Sequence, residues 1–293
     1  MNDLIEKSLI MQGKSLALLN QQRDDQDPLS AYEFQVFSQF GEDGILQHLI
    51  QETGIDDNEK TFVEFGVQDY QESNTRFLLQ GHHWQGLIID GSDAWMESVK
   101  ISSLYWRYNL KAIAAWIDRE NINDLILSSG LQGTIGFLSI DIDGNDYWVW
   151  ERISCIKPII IACEWNSIFG KEHALSIPYD PGFNRAAAHY SHQYWGASIA
   201  ALHHLAERKG YALIGTNQAG NNLFFVDKDR LGRLKARRPE DVWVEAQFSD
   251  TRDKNGNLTF LRGDKRRQLI QDLPLVNVMN GETTSLKALE NHP

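Results

Sequence analysis

Hydrophobic and polar positions change period several times along the chain. Residues 3–22 place Leu4, Ile5, Leu9, Ile10, Leu16, Leu18 and Leu19 at helical spacing, which predicts an N-terminal helix. A polar stretch, 21–30, with Asp-Pro at 27–28, reads as a linker. Ser38-Gln-Phe-Gly-Glu-Asp-Gly-Ile-Leu46 then leads into a helix predicted to end near Gly54. Beyond it, short apolar runs alternate with helical stretches. Strands are predicted at 61–66 and 86–90, each followed by a helix, at 72–80 and 92–101. A third strand falls within 105–113, and a third helix over 121–129 with Asn121 as its cap. Strands four and five are expected at 135–141 and 157–164. A helix over 197–209 stops at Gly210, and the last two strands are predicted at 211–216 and 222–226.

This alternation predicts an α/β fold with a doubly wound, mostly parallel, seven-stranded sheet. The strands are apolar at consecutive positions, as in parallel strands buried on both faces. The short connection between the last two strands predicts an antiparallel pair and a reversed edge strand. Residues 1–37 form a helical N-terminal extension, 38–227 the α/β domain with an irregular insert at 165–195, and 228–293 a C-terminal extension. That extension is expected to hold a helix and a small hairpin turning at Asp253–Asn257. Its basic segment 228–238 reads as a solvated helix face.

Composition narrows the partners. Hydrophobic residues are 42% of 293, enough for a large core. A net charge of −12 repels phosphate backbones and anionic lipid, so neither nucleic acid nor a membrane is expected as partner. No run approaches the length of a membrane span, and Met1–Lys7 lacks the apolar core of a secretion signal, so a cytoplasmic protein is expected. The two cysteines, Cys155 and Cys163, lie in or beside apolar runs and read as structural thiols.

The segment Thr61-Phe-Val-Glu-Phe-Gly-Val-Gln-Asp-Tyr70, followed by Gly86-Leu-Ile-Ile-Asp-Gly91, reads as a strand, a turn at Gly66, a helix start and a second strand ending in Asp90. Such units bind nucleoside-type cofactors at the C-terminal ends of parallel strands, the second-strand acid accepting from the ribose. Glu64 is placed to hold a ligand's amino group. A dinucleotide site needs three glycines against a pyrophosphate, whereas Gln68 and Asp69 stand where further glycines would. A cationic, phosphate-free cofactor suits this turn better; a NAD- or nucleotide-sugar-linked enzyme is the alternative. Asn74 and Thr75 either cap the following helix or meet a ligand's carboxylate.

A second group comprises Asp141, Asp143, Asn145, Asp146, Glu164 and Asn166. Parallel strands would bring Asp141 and Glu164 to one sheet edge, and the oxygen-rich set of Asp141, Asp143 and Glu164 suits Mg²⁺ or another divalent cation. Turn chemistry alone is the competing reading. An EF-hand is excluded because Arg152 stands where its glutamate belongs. The insert adds Tyr179, Arg185, Tyr194 and Trp195 as a substrate wall, and His189 and His192 as candidate general bases or solvated loop histidines. Asn217, Asn221 and Asn222 either face the pocket or serve a turn.

Val63-Glu-Phe-Gly-Val67, Glu72-Ser-Asn-Thr75, Leu87-Ile-Ile-Asp-Gly91 and Leu138-Ser-Ile-Asp-Ile-Asp-Gly-Asn-Asp146, in this order, resemble the FkbM-like branch of class I S-adenosylmethionine-dependent methyltransferases. The resemblance covers about 38–226. It implies that Glu64 and Gly66 hold the methionine part of S-adenosylmethionine, that Asp90 holds the ribose, with Gly91 beside it in the cofactor site, and that the adenine lies beside Asp118 to Asn121. It places methyl transfer at Asp141. The implied activity is an O-methyltransferase acting on a sugar, glycan or natural-product hydroxyl, with a divalent cation as a candidate helper and Asn166, Tyr179, Arg185 and Tyr194 as acceptor contacts. The glycine-poor turn keeps open a catalytically inactive cofactor-binding or interaction protein. The two extensions are candidates to mediate a homodimer.

Overall fold

The computed structural model describes residues 2–23 and 28–290; part of the expected linker, residues 24–27, lies outside the described residues. The central sheet contains β1 (Thr61–Phe65), β2 (Gln85–Asp90), β3 (Leu110–Ala114), β4 (Gly133–Ile140), β5 (Ile156–Glu164), β7 (Tyr211–Thr216) and β8 (Asn222–Asp227). Their order is β3-β2-β1-β4-β5-β8-β7. Strands β1 to β5 pair in parallel, and β8 runs antiparallel to both β5 and β7. The reversed strand is therefore β8, inside the sheet, and not the edge strand expected from the sequence. The hairpin of β7 and β8 folds back so that its second strand inserts beside β5, where Phe224 and Phe225 are buried on both faces.

Strand residues alternate between two cores. Val63, Phe65, Leu87 and Ile89 pack on the side of α6 (Ile122–Ser128), α7 (Asp146–Arg152) and α9 (Ile199–Lys209). Phe62, Ile88 and Phe137 face α2 (Glu42–Thr53), α3 (Arg76–His82) and α4 (Asp93–Ile101). Apolar residues at consecutive positions are thus required, as the sequence implied. Gly54 and Gly210 end α2 and α9 in left-handed conformation, as read from the sequence. The third strand expected within 105–113 is β3, at its C-terminal end, and α5 (Ser103–Arg107) occupies the start of that stretch. Cys155 and Cys163 are free thiols, Cys163 fully buried.

The insert and the C-terminal extension form one unit. β6 (Leu175–Ser176), β9 (Leu275–Asn277) and β10 (Thr283–Thr284) make a second, three-stranded sheet. Ile168, Phe169, Leu175, Tyr194, Ile270, Leu275 and Leu286 give it a core of its own. The insert also carries α8 (Arg185–Ala188), and the extension α10 (Pro239–Val242), α11 (Asp264–Gln268) and α12 (Leu286–Glu290). The turn at Asp253–Asn257 forms, closed by a bridge between Arg252 and Leu258. Residues 228–238 hold one 3-10 turn and otherwise irregular chain, not the expected helix face. Arg230 clamps Glu59 and Arg233 clamps Glu52, so these charges tie the segment to α2 and the loop after it.

The N-terminal helix α1 (Asn2–Asn20) forms as predicted. It docks through Gly13, where an added β-carbon would collide with Val36 and Phe77, and leaves Leu4, Ile5, Met11, Leu16, Leu18 and Leu19 exposed.

Candidate active site

A cavity of about 1100 Å³ opens at the C-terminal ends of β1, β2, β4 and β5. The strand order reverses between β1 and β4, so this is the crevice where open α/β sheets bind ligands. Its walls come from the turns after those strands, from the insert and from the extension.

Local chemistry explains the turn after β1. Gly66 has φ 72°, and an added β-carbon would stand 1.8 Å from the Asp141 carbonyl oxygen. Only glycine lets the ends of β1 and β4 approach this closely. Glu64, 4% exposed, turns its carboxylate into the following loop. One oxygen accepts from the Asn74 N–H (2.8 Å); the other accepts from the Ser73 and Thr75 hydroxyls (2.6 and 2.5 Å) and the Thr75 N–H (3.2 Å). Burial raises its pKa, and these bonds partly offset that. The carboxylate expected to hold a ligand's amino group thus organises residues 73–75. That loop delays α3 to Arg76, later than the predicted helix start. Asn74 and Thr75 make no side-chain cap: Asn74 Nδ2 donates to Ser139 Oγ (3.0 Å), and the Thr75 hydroxyl is also bonded to Tyr70 (2.8 Å). Ser73 and Asn74 border the cavity, whereas Thr75 is fully buried away from it.

Asp90, 9% exposed, borders the cavity. One carboxylate oxygen accepts from the Gln68 N–H (2.8 Å), the other from the Ser92 N–H (2.9 Å), joining the turns after β1 and β2. Beside it, Gly91 faces the Trp116 ring, 3.1 Å from where a β-carbon would stand. Asp118 and Asn121 do not reach the cavity. Asp118 accepts from the Asn121 N–H and Asn121 Oδ1 from the Asp118 N–H, closing the turn before α6 without a side-chain cap. Trp116 and Ile117 form this wall instead.

Carboxylates crowd the floor. Oxygens of Asp141, Asp143 and Glu164 lie within 4.8 Å of one another. Glu164 is 8% exposed, and its Oε2 has no hydrogen-bond partner among the described residues. Burial, then repulsion from Asp143 and Asp146, pushes the Asp141 pKa well up; burial and Asp141 do the same to Glu164. Turn chemistry accounts for Asp146 alone: its two oxygens accept from the Ile142 and Gly144 N–H groups (2.9 and 3.0 Å), and burial raises its pKa to about 6. The other three acids have no such role, and an oxygen set with an orphaned buried oxygen fits a hard divalent cation.

Arg185 joins three segments across the mouth. It donates from Nη1 to Asp143 (2.7 Å), from Nη2 to Asp250 (2.9 Å) and from Nε to the His192 carbonyl (2.6 Å). His192, Gln193 and Trp195 border the cavity with it. His189 does not; its ring bonds to Ser191 Oγ (2.7 Å) and packs on Tyr190. Tyr179 donates to Glu120 and lies under the Arg119 guanidinium, outside the cavity. Tyr194 is buried in the small core with its hydroxyl on the Pro274 carbonyl. Asn166 is 2% exposed at the cavity edge, donating to the Gln193 and Trp195 carbonyls (both 3.0 Å) and capping the next turn through Ile168 N–H. Of the turn asparagines, Asn221 and Asn222 border the cavity, while Asn217 closes the turn between β7 and β8. Sequence reasoning missed Glu42, Trp116, Phe248, Asp250 and Arg266 as lining residues. The last three lie in the extension, and no local pattern marks them.

No family model matches the chain, and no curated protein matches it. Among solved structures it is similar to the N-terminal domain of EvdMO1 with SAH bound, at 12% identity and TM-score 0.42, over 79% of this chain and 97% of that one. It is also similar to an O-methyltransferase from Bacillus cereus in complex with SAH, at 13% identity and TM-score 0.40, over 74% and 89%. A third is the methyltransferase domain of bacterial-CtHen1-C, at 13% identity and TM-score 0.35, over 62% and 97%.

Proposed function

We propose that the protein is an S-adenosylmethionine-dependent O-methyltransferase acting on a hydroxyl of a sugar, glycan or natural product. The observation that carries this reading is the pair Asp141 and Glu164 on the cavity floor. They stand at the ends of adjacent strands beside Gly66, both with strongly raised pKa. Two such carboxylates cannot both ionise freely, and the one that is ionised can take a hydroxyl proton. S-adenosylmethionine supplies an activated methyl group, so the protein's task is positioning and proton removal. Asp90 and the turn after Gly66 would hold its ribose, the loop organised by Glu64 its amino-acid part, and Trp116 and Ile117 its adenine. Asp141, Asp143 and Glu164 would hold a Mg²⁺-like ion, which would lower the pKa of an acceptor hydroxyl. His192 and Arg185 stand on the acceptor side.

The dinucleotide alternative is disfavoured by Glu64. A pyrophosphate would need the backbone N–H groups after β1. Those of Asn74 and Thr75 already bind the Glu64 carboxylate. The exposed apolar side chains of α1 support pairing of two copies, which light scattering would report as a doubled mass. Calorimetric titration tests the main reading. Binding of S-adenosylmethionine or S-adenosylhomocysteine is expected; no heat with either at near-millimolar concentration removes it.

A further inference from the structure

Two arginines line the cavity, and they differ in one respect. Arg185 is paired with Asp143 and Asp250. Arg266, from α11, forms no ion pair among the described residues. It is 4% exposed, donates from Nη1 to the Phe248 carbonyl (3.1 Å) and from Nη2 to Ser167 Oγ (2.9 Å), and its Nε has no partner among the described residues. Burial lowers its proton affinity, and the carboxylates of Glu245 and Asp250 nearby offset this only in part. A guanidinium withdrawn from water whose hydrogen-bond acceptors are neutral, with carboxylates nearby but none in an ion pair, is under-compensated, and its planar fork matches an oxyanion. Ser167 Oγ accepts from Arg266 and from the Ala246 N–H (3.1 Å), so its own proton is free to donate.

Position assigns the ligand. Ser167 follows the end of β5 by three residues, whereas Asp90 ends β2. The order β2-β1-β4-β5 puts three strand spacings, about 14 Å, between them. Arg266 therefore lies on the far side of Asp141 from the ribose position. We infer that the methyl acceptor carries an oxyanion, a carboxylate or a phosphate, and that Arg266 with Ser167 binds it. The assignment of this ligand as the acceptor rests on the methyltransferase reading.

Thermal melting at constant ionic strength, with sodium phosphate or sodium acetate replacing sodium chloride, tests this. The wild-type midpoint is expected to rise with at least one oxyanion, and Arg266→Lys to shrink that rise by as much as an affinity about tenfold weaker implies. A rise with phosphate alone assigns a phosphorylated acceptor, and one with acetate alone a carboxylated acceptor. No rise, or an equal rise in the variant, overturns the site. Should the variant fail to fold, a selenate soak of wild-type crystals decides. An anomalous peak within hydrogen-bond distance of Arg266 supports the site, and its absence there overturns it. Calorimetry with S-adenosylhomocysteine separates the two readings. Cofactor binding without an oxyanion effect removes only the Arg266 site; an oxyanion effect without cofactor binding removes only its assignment to a methyl acceptor.

Discussion

The carbonyl oxygen of Asp141 lies 1.8 Å from the point where a β-carbon on Gly66 would stand. The floor of the cavity therefore depends on a missing side chain in the neighbouring strand's turn. Gly66→Ala must push β1 and β4 apart and also strains a positive φ. We expect a loss of about 3 kcal/mol or more in urea unfolding and abolished S-adenosylhomocysteine binding by calorimetry. Near-wild-type stability would show that the contact is easily relieved.

Glu64→Gln separates an organising role from direct ligand contact. The carboxylate accepts four hydrogen bonds, and an amide nitrogen would confront donors with a donor. The expected cost is about 2–4 kcal/mol, read by chemical denaturation. If Glu64 acted only on ligand, cofactor affinity would fall while stability held.

Asp141 and Glu164 make a prediction about pH. Their folded pKa values are raised, so the native state binds protons more tightly than the unfolded chain. Stability is then lost as pH rises from the ordinary carboxylate range through the raised values, and the penalty is fully present above them. Asp141→Asn should flatten this dependence and raise the melting temperature at pH 8 by about 2–4 °C, while methyl transfer falls. A lower melting temperature at pH 8 would contradict the repulsion.

Magnesium bears on the same acids. At pH 8, Mg²⁺ is expected to raise the wild-type melting temperature and to leave Asp141→Asn unchanged. Activity untouched by EDTA, with no thermal shift, would remove the cation from the proposal.

Tyr194→Phe tests a residue that the sequence placed on the substrate wall. Its hydroxyl bonds the Pro274 carbonyl inside the small core. A loss of about 1 kcal/mol with unchanged kcat and KM is expected. A raised KM at full stability would return Tyr194 to the acceptor.

Local pattern sufficed where a residue's environment is set by its own segment. Apolar runs of strand length, joined by helical stretches, determined a doubly wound sheet, because strands covered on both faces need apolar side chains at every position. Gly66, Asp90, Asp141 and Glu164 were legible because strand ends place them at one sheet edge. Tertiary structure alone decided the rest. The sequence could not show that β8 would insert between β5 and β7, since strand order is a long-range choice. Nor could it show that Glu64 would bind residues 73–75, or that Tyr179, His189 and Tyr194 would turn away from the cavity. Arg266 is the extreme case: it stands 99 residues from Ser167, and only packing of the extension against the insert buries its charge at the cavity wall.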